Sequence, residues 1–356
     1  MIQQWDEIQT MLRDSARSVC KGLGGAGSSG TDCMPELWRK ASELGWLGVA
    51  LPEDRGGSGG GLVEAGLIAS EMGRAGFFGG FAESTAISFA LAGLDKRATH
   101  EAADLVRQAA EGGIELRLVQ PFLHSQAPAE VGIVSTLSAP KAYLIQNDDE
   151  LRLVGEPVES DSAEEIRITA RRRDIQVRAR QDRPETVLVE GDAAGMAWEA
   201  ANRIYRCLAA TQLSGAVRAL LDIAVEYSRI RQQFGHAIGS YQAVQHAVTD
   251  ILAGVDAAEL LSFRALAALT VSPFEALPIA DSAVAFSREA AWSAVIKTYD
   301  VLGGVGFIEE HPLSVYTRGM LPVFTSLGSS ALCEEMVGES VYRGRWLTYE
   351  GGAYSS

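Results

Sequence analysis

The feature that most constrains the fold is a double change of hydrophobic period along the chain. From Ala193 onward apolar residues recur at three- and four-residue spacing over segments at about 196–230, 241–270 and 279–301, and a further helix is predicted after Ser329. In the second of these, Val244, Val248, Ile251 and Val255 form one stripe, the pattern of a helix with a buried face. Helices this long with short connections pack as an antiparallel bundle. Between about Glu115 and Glu190 the period drops to two. Short β-branched runs at Val131–Leu137, Lys141–Gln146, Ile166–Ala170, Ile175–Val177 and Thr186–Val189 are broken by Asn147-Asp148-Asp149 and Pro184, which predicts a small sheet. The first 110 residues are again helical in pattern, with helices predicted over Met34–Leu47, Leu62–Met72 and Ser84–Leu94 and glycine-rich loops at Gly22–Gly30 and Gly56–Gly61. The predicted class is α+β, mostly α: a helical domain over 1–112, a small β domain over 113–192 and a four-helix bundle over 193–356.

Charge and composition narrow the function. Against 31 Lys+Arg stand 46 Asp+Glu, a formal charge of −15, which repels a nucleic-acid backbone in the absence of a basic stripe. No run of 18 apolar residues predicts a membrane span, and the mixed-charge start MIQQWDEIQTMLRDSAR does not read as a secretory leader. Cys20, Cys33, Cys207 and Cys333 are scattered, so neither a disulfide framework nor a zinc site is expected, and a reducing cytoplasm fits.

Three motifs carry chemistry. Gly56-Gly57-Ser58-Gly59-Gly60-Gly61 is followed by Leu62-Val63-Glu64, which lacks the Lys-Ser/Thr of a phosphate-binding P-loop and reads as an ordinary loop. Tyr227-Ser228-Arg229-Ile230-Arg231-Gln232-Gln233-Phe234-Gly235, continuing to Ile238 and Gln242, lies at the junction of two long helices. There a guanidinium offers a fork of donors to a pyrophosphate and a ring offers a stacking face, although an arginine at a helix end also serves simply to cap the dipole. Leu302-Gly303-Gly304-Val305-Gly306-Phe307 closes the third long helix, where glycines permit a tight turn and close approach by another backbone or a ligand. Glu309 and Glu310 read as solvated, His236 and His246 as surface residues, and Asp222 and Glu226 as partners of Arg218 and Arg229 on a wet face.

The spacing R-x-x-F-G-x-x-I-x-x-x-Q from Arg231 to Gln242, with L-G-G-x-G-F some seventy residues on, resembles the acyl-CoA dehydrogenase family. So do Glu43-Leu44-Gly45-Trp46-Leu47-Gly48 leading to Pro52-Glu53, and Glu71-Met72-Gly73-Arg74. The resemblance covers about residues 30–345, and Glu309-Glu310-His311-Pro312-Leu313 is similar to the bacterial branch that degrades steroid side chains. It implies FAD as cofactor and an acyl-CoA substrate desaturated between Cα and Cβ, with electron-transfer flavoprotein as a candidate acceptor. It also implies that Arg231, Gln232, Phe234, Gln242, Gly303 and Gly304 hold the pyrophosphate and adenine half of a neighbouring subunit's FAD.

The catalytic carboxylate of the family has two usual places. By resemblance they fall here on Leu327, which cannot take a proton, and on Tyr205, followed by Arg206 as the matching substrate-side arginine; an unperturbed phenol is a weak base at neutral pH. The family's flavin-ring segment reads here Leu118-Val119-Gln120-Pro121-Phe122-Leu123-His124-Ser125, with no Trp between Trp46 and Trp198, and Asp300 replaces a glutamine before the glycine turn. The resemblance therefore implies the non-catalytic partner in a mixed oligomer, α2β2, with a homologous base-bearing subunit. Two rivals stay open at this point: a self-sufficient homo-oligomer using Tyr205 or Glu310 as base, and a flavin-free scaffold of the same fold. Leu260, Leu261 and Leu266, lying beyond the single stripe, predict an exposed apolar face and oligomerisation.

Overall fold

The computed structural model describes residues 5–24, 33–118, 120–121, 131–136, 142–147, 150–154, 166–169, 172–178, 186–275 and 278–342. It is mostly helical, with two small four-stranded sheets. The first helices are α1 (Glu7–Gly22), α2 (Met34–Glu43), α3 (Leu62–Arg74), α4 (Phe81–Ala92) and α5 (His100–Ala110). The strands are β1 (Leu116–Leu118), β2 (Gln120–Pro121), β3 (Val131–Thr136), β4 (Ala142–Asn147), β5 (Glu150–Val154), β6 (Ile166–Thr169), β7 (Arg172–Arg178) and β8 (Thr186–Glu190). Then come α6 (Asp192–Ile230), a hairpin of β9 (Gln232–Gln233) and β10 (His236–Ala237), α7 (Gln242–Val271), α8 (Pro278–Leu302), α9 (Pro312–Leu327) and α10 (Ser330–Tyr342).

One sheet runs β1-β4-β5-β8 and the other β2-β3-β7-β6. β1 pairs β4 in parallel, Leu116 opposite Ala142, while all the other pairs are antiparallel.

The sheets hang between two helical blocks that share one core. α6 is the axis of that core: its 39 residues extend about 58 Å, and its inner faces are filled by Ile204, Leu208, Leu213, Val217 and Leu220. α3 crosses it at bare backbone. A Cβ added at Gly73 would lie 1.9 Å from the Gln212 carbonyl oxygen, and one at Gly215 would lie 1.9 Å from that of Ser70. Glycine is required at both positions because no side chain fits between the two helices. α1 begins in a capping box, Asp6 Oδ1 accepting from Gln9 N–H at 2.8 Å, and is tied to α3 by the two-pronged pair of Arg17 with Glu71 at 2.7 and 3.0 Å.

Several expected boundaries move for local reasons. The helix predicted over Met34–Leu47 stops at Glu43, because Gly45 turns left-handed at φ 69° and starts a separate 3-10 turn over Trp46–Gly48. α9 was not expected as a separate helix; it starts with Pro312 and carries Pro322 inside it. Leu266 is fully buried rather than exposed, whereas Leu260 is 38% exposed. Arg218 pairs with Asp256 and Glu259, and Asp222 with Arg74, so the partners expected around Asp222 are replaced. Among the described residues only α6 is long and apolar enough to cross a membrane, and 78% of its most apolar window is buried inside the protein.

Candidate cofactor and substrate sites

Two separate places gather the residues singled out by their motifs. The first is the far end of the bundle. Arg231 ends α6, with its N–H donating to the Tyr227 carbonyl at 2.9 Å. β9 and β10 then fold back through a two-residue turn, with Gln233 opposite His236. Both turn residues are left-handed, Phe234 at φ 54° and Gly235 at φ 83°, the conformation a two-residue hairpin needs. The hairpin is braced by the Ile238 N–H donating to the Arg231 carbonyl at 2.8 Å and by the Tyr241 hydroxyl donating to the Gln233 carbonyl at 3.1 Å. Gln242 opens α7.

Arg231, Gln232 and Gln242 are exposed, and Phe234 is 91% exposed. A phenylalanine in a left-handed turn is unfavourable, and this one recovers nothing by packing within its own chain.

The glycine turn shares that end. α7 and α8 run antiparallel, joined by Lys297–Asp250 at 2.7 Å and Ser262–Ser287 at 3.1 Å, which brings the start of α7 level with the turn that closes α8. Gly303 has φ 58°, and a Cβ at Gly303 or Gly304 would meet nothing within 4 Å. Val305, Phe307 and Ile308 beside them are 38, 75 and 50% exposed. The end of the bundle thus offers a guanidinium, an open aromatic face and bare backbone. These suit the pyrophosphate and aromatic parts of a dinucleotide.

The second place lies within the fold. Tyr205 on α6 donates from its hydroxyl to Ser326 Oγ at 2.7 Å, and the next residue, Leu327, is completely buried. The two positions where the resemblance places a carboxylate therefore converge, though they lie more than a hundred residues apart. Arg206 is linked to the second of them through Cys333: its Nη2 donates to Cys333 Sγ at 3.6 Å, and the Cys333 thiol donates to the Leu327 carbonyl at 3.3 Å. With Arg203 it faces Asp281, whose carboxyl is raised above its usual range chiefly by burial and drawn partly back by the two guanidinia.

Beside Tyr205 lies a buried charge cluster that sequence reasoning missed. Arg117 on β1, 3% exposed, donates from Nη1 to Glu83 Oε2 at 2.8 Å and pairs through Nη2 with Glu115 Oε1 at 2.6 Å. Burial opposes its charge, but the two carboxylates more than offset that, with a further contribution from Tyr205, and hold the guanidinium above its ordinary pKa. The only trace in the sequence is a glutamate inside the otherwise uncharged α4 and an arginine between Leu116 and Leu118.

Of the flavin-ring segment, Val119 and Phe122 to Ser125 lie outside the described residues. Glu309 and Glu310 are exposed, Glu309 pairing with Arg318 at 3.0 Å; His236, His246 and Asp300 are exposed as well. A separate cleft of about 480 Å³ between α1, α3, α6 and α9 has walls whose charges pair with one another, Arg17 with Glu71 and Arg74 with Asp222. No group of three or more His, Cys, Asp or Glu among the described residues is placed to hold a metal.

Comparison with known proteins agrees with this fold. The acyl-CoA dehydrogenase N-terminal domain profile matches residues 6–113 and the C-terminal domain profile residues 199–342. Among curated relatives, acyl-CoA dehydrogenase FadE34 of Mycobacterium tuberculosis is 28% identical over 318 residues, 88% of this chain but 42% of the relative. The chain thus spans less than half of that protein. Acyl-CoA dehydrogenase IpdE2 of the same organism is 26% identical, covering 88% of this chain and 90% of the relative. Among solved structures, the Tcur3481–Tcur3483 steroid ACAD superposes with a TM-score of 0.79 at 23% identity, covering 95% of this chain and 98% of that one. The ChsE4–ChsE5 complex from M. tuberculosis reaches 0.80 at 18% identity, covering 96% and 99%.

Proposed function

Because the chain belongs to the acyl-CoA dehydrogenase family, we propose that it is the cofactor-completing subunit of a mixed FAD-dependent acyl-CoA dehydrogenase. Its hairpin and glycine turn hold the dinucleotide of a homologous, base-bearing partner, in an α2β2 assembly. The observation that carries this reading is that Tyr205 and Leu327, the two positions where the family's base is expected, meet in the fold with no carboxylate at either. That second place lies well apart from the first, since Tyr205 and Arg231 are 26 positions apart along α6, about 39 Å. In this reading the exposed end of the bundle is offered to a subunit that does carry the base.

The residues at that end fit the group. Arg231 supplies fork-like donors to a pyrophosphate, the Phe234 ring a face for a base, and Gly303 and Gly304 backbone with no side chain in the way. FAD, when bound, accepts the β-hydrogen of the acyl group as hydride. The α-proton goes to a carboxylate of the partner, since Leu327 has no titratable atom and Tyr205 is hydrogen-bonded to Ser326. This chain's part is to seat and orient the cofactor. The likeness to the steroid ACAD supports a bulky, steroid-type acyl-CoA as substrate, with an electron-transfer flavoprotein taking the electrons onward in the cytoplasm.

The test is expression alone and with homologous partner chains, followed by flavin counting. Flavin and dye-reducing activity confined to the co-expressed complex, at one flavin per pair of unlike chains, is the expected result. One flavin per protomer and full activity from the lone chain would overturn the proposal in favour of a self-sufficient enzyme. A complex that forms and never holds flavin would leave the scaffold reading.

A further inference from the structure

The Arg117 cluster has no part in the seating of a partner's cofactor, yet it lies in the most costly place the fold offers. Three ionisable residues, Glu83 of α4, Arg117 of β1 and Glu115 just before that strand, are all buried. Their formal charges sum to −1. A buried ion pair of this kind gains little over apolar packing, so stability alone does not account for it. Its position does suggest a role. α4, which carries Glu83, packs against both β1 and α6, and Tyr205 of α6 is bonded to Ser326, next to Leu327. The cluster also fills its space: a Cβ on Gly80, which precedes α4, would fall 1.9 Å from Glu115 Oε1 and 2.9 Å from Arg117 Cζ.

The geometry points to a seal. We propose that Glu83, Arg117 and Glu115 close the interior beside this chain's own Tyr205–Leu327 position, so that an acyl thioester is excluded there and binds only at the partner's site. A thioester placed at Tyr205 would have to displace a guanidinium already engaged by two carboxylates, leaving a buried charge unpaired. The enolate character that develops during α-proton removal would meet a cluster of net negative charge, in which Arg117 gives one hydrogen bond, to Glu83, and one ion pair, to Glu115. The proposal rests on the reading of this chain as the completing subunit, and it adds where substrate does not go.

Acyl binding is measured by equilibrium dialysis with a medium-chain 3-thia-acyl-CoA, whose sulfur at position 3 prevents desaturation. The co-expressed complex is expected to bind one such molecule per pair of unlike chains. The triple truncation Glu83→Ala, Arg117→Ala and Glu115→Ala removes all three charges together, so none is stranded. With flavin content unchanged, it is expected to raise the ratio to two. A ratio of two in the unaltered complex, or a ratio still at one in a truncated complex that retains its flavin, overturns the seal. If the truncated chain does not fold, the volume-keeping triple Glu83→Gln, Arg117→Met and Glu115→Gln replaces it. That variant is expected to stay at one with undiminished kcat, and a hundredfold fall in its kcat with the flavin retained would make Arg117 part of the working site instead. Failure of the assembly reading is visible earlier, as no complex on gel filtration before ligand is added. In that case the lone chain is dialysed, with zero acyl-CoA per chain expected and one overturning the seal.

Discussion

Phe234 offers a perturbation whose two effects have opposite signs. It occupies a left-handed position at φ 54° and is 91% exposed. Holding an L-residue in that conformation costs about 1–2 kcal/mol, while glycine in its place brings back about 0.5–1 kcal/mol of unfolded-state entropy. No burial is lost, because the ring touches little of its own chain. Phe234→Gly should therefore leave the lone chain unchanged or stabilise it by up to about 1 kcal/mol, a rise of at most a few degrees in Tm. In the complex the same change removes a stacking face worth about 1–3 kcal/mol per base, which is roughly 5- to 150-fold in flavin Kd. Phe234→Ala separates the contributions, since it loses the face and keeps the backbone cost. The assays are thermal unfolding of the chain alone and flavin fluorescence titration of the apo complex. A Phe234→Gly chain that melts several degrees lower, or a complex whose flavin affinity is unmoved, would refute the reasoning that this ring is held out for a neighbour's cofactor.

Three further expectations follow from the core and the helix ends. Gly215→Ala and Gly73→Ala each force a methyl to within 1.9 Å of a backbone carbonyl across the α3–α6 crossing, so each should destabilise by about 1–3 kcal/mol or more. Because they disturb the same contact, the double variant should cost less than the two effects added, measurable by denaturant unfolding. Burial pushes the Cys20 and Cys207 thiols up from 9.0 to about 12 and the Tyr316 phenol up from 10.0 to about 12. All three favour the protonated form on folding, so their contribution is complete below about pH 9 and is lost as pH rises toward 12. A melting series should show that alkaline fall, and thiol reagents at pH 8 should reach the half-buried Cys33 well before Cys20 or Cys207. His311 caps α9, its Nδ1 accepting from Leu313 N–H at 3.1 Å, and burial lowers its pKa below 6.5. The neutral ring is the one that caps, so this stability is present above pH 6.5 and disappears as pH falls through the lowered value. His311→Asn, which keeps an acceptor, should flatten that acid dependence, whereas His311→Ala should lose about 1 kcal/mol at neutral pH.

The long-range architecture was legible because it depends on period. A helix predicted over 196–230 is found over 192–230, and that predicted over 279–301 is found over 278–302. The glycine turn and the junction between α6 and α7 were legible too, since both are made of residues adjacent in sequence, but the hairpin that forms that junction was not. What escaped was set by distance or by an override of local preference. In α9, Pro322 works against the helix from within, yet tertiary packing holds it there, buried. β1 is only three residues long with an arginine at its centre, so its alternation carries no signal. Arg117 and Glu83 are 34 positions apart, and Tyr205 and Ser326 lie 121 apart. Only the packing of α4 against β1 and of α9 against α6 brings such residues together.

The bare-backbone crossing at Gly73 and Gly215 has a consequence for how the polypeptide holds together. It welds a segment that precedes both sheets to one that follows them, so the covalent connection through the strands is not what keeps the helical blocks joined. A chain nicked among the strands should stay associated through that crossing, and the two pieces, made as separate polypeptides, should find each other without a linker.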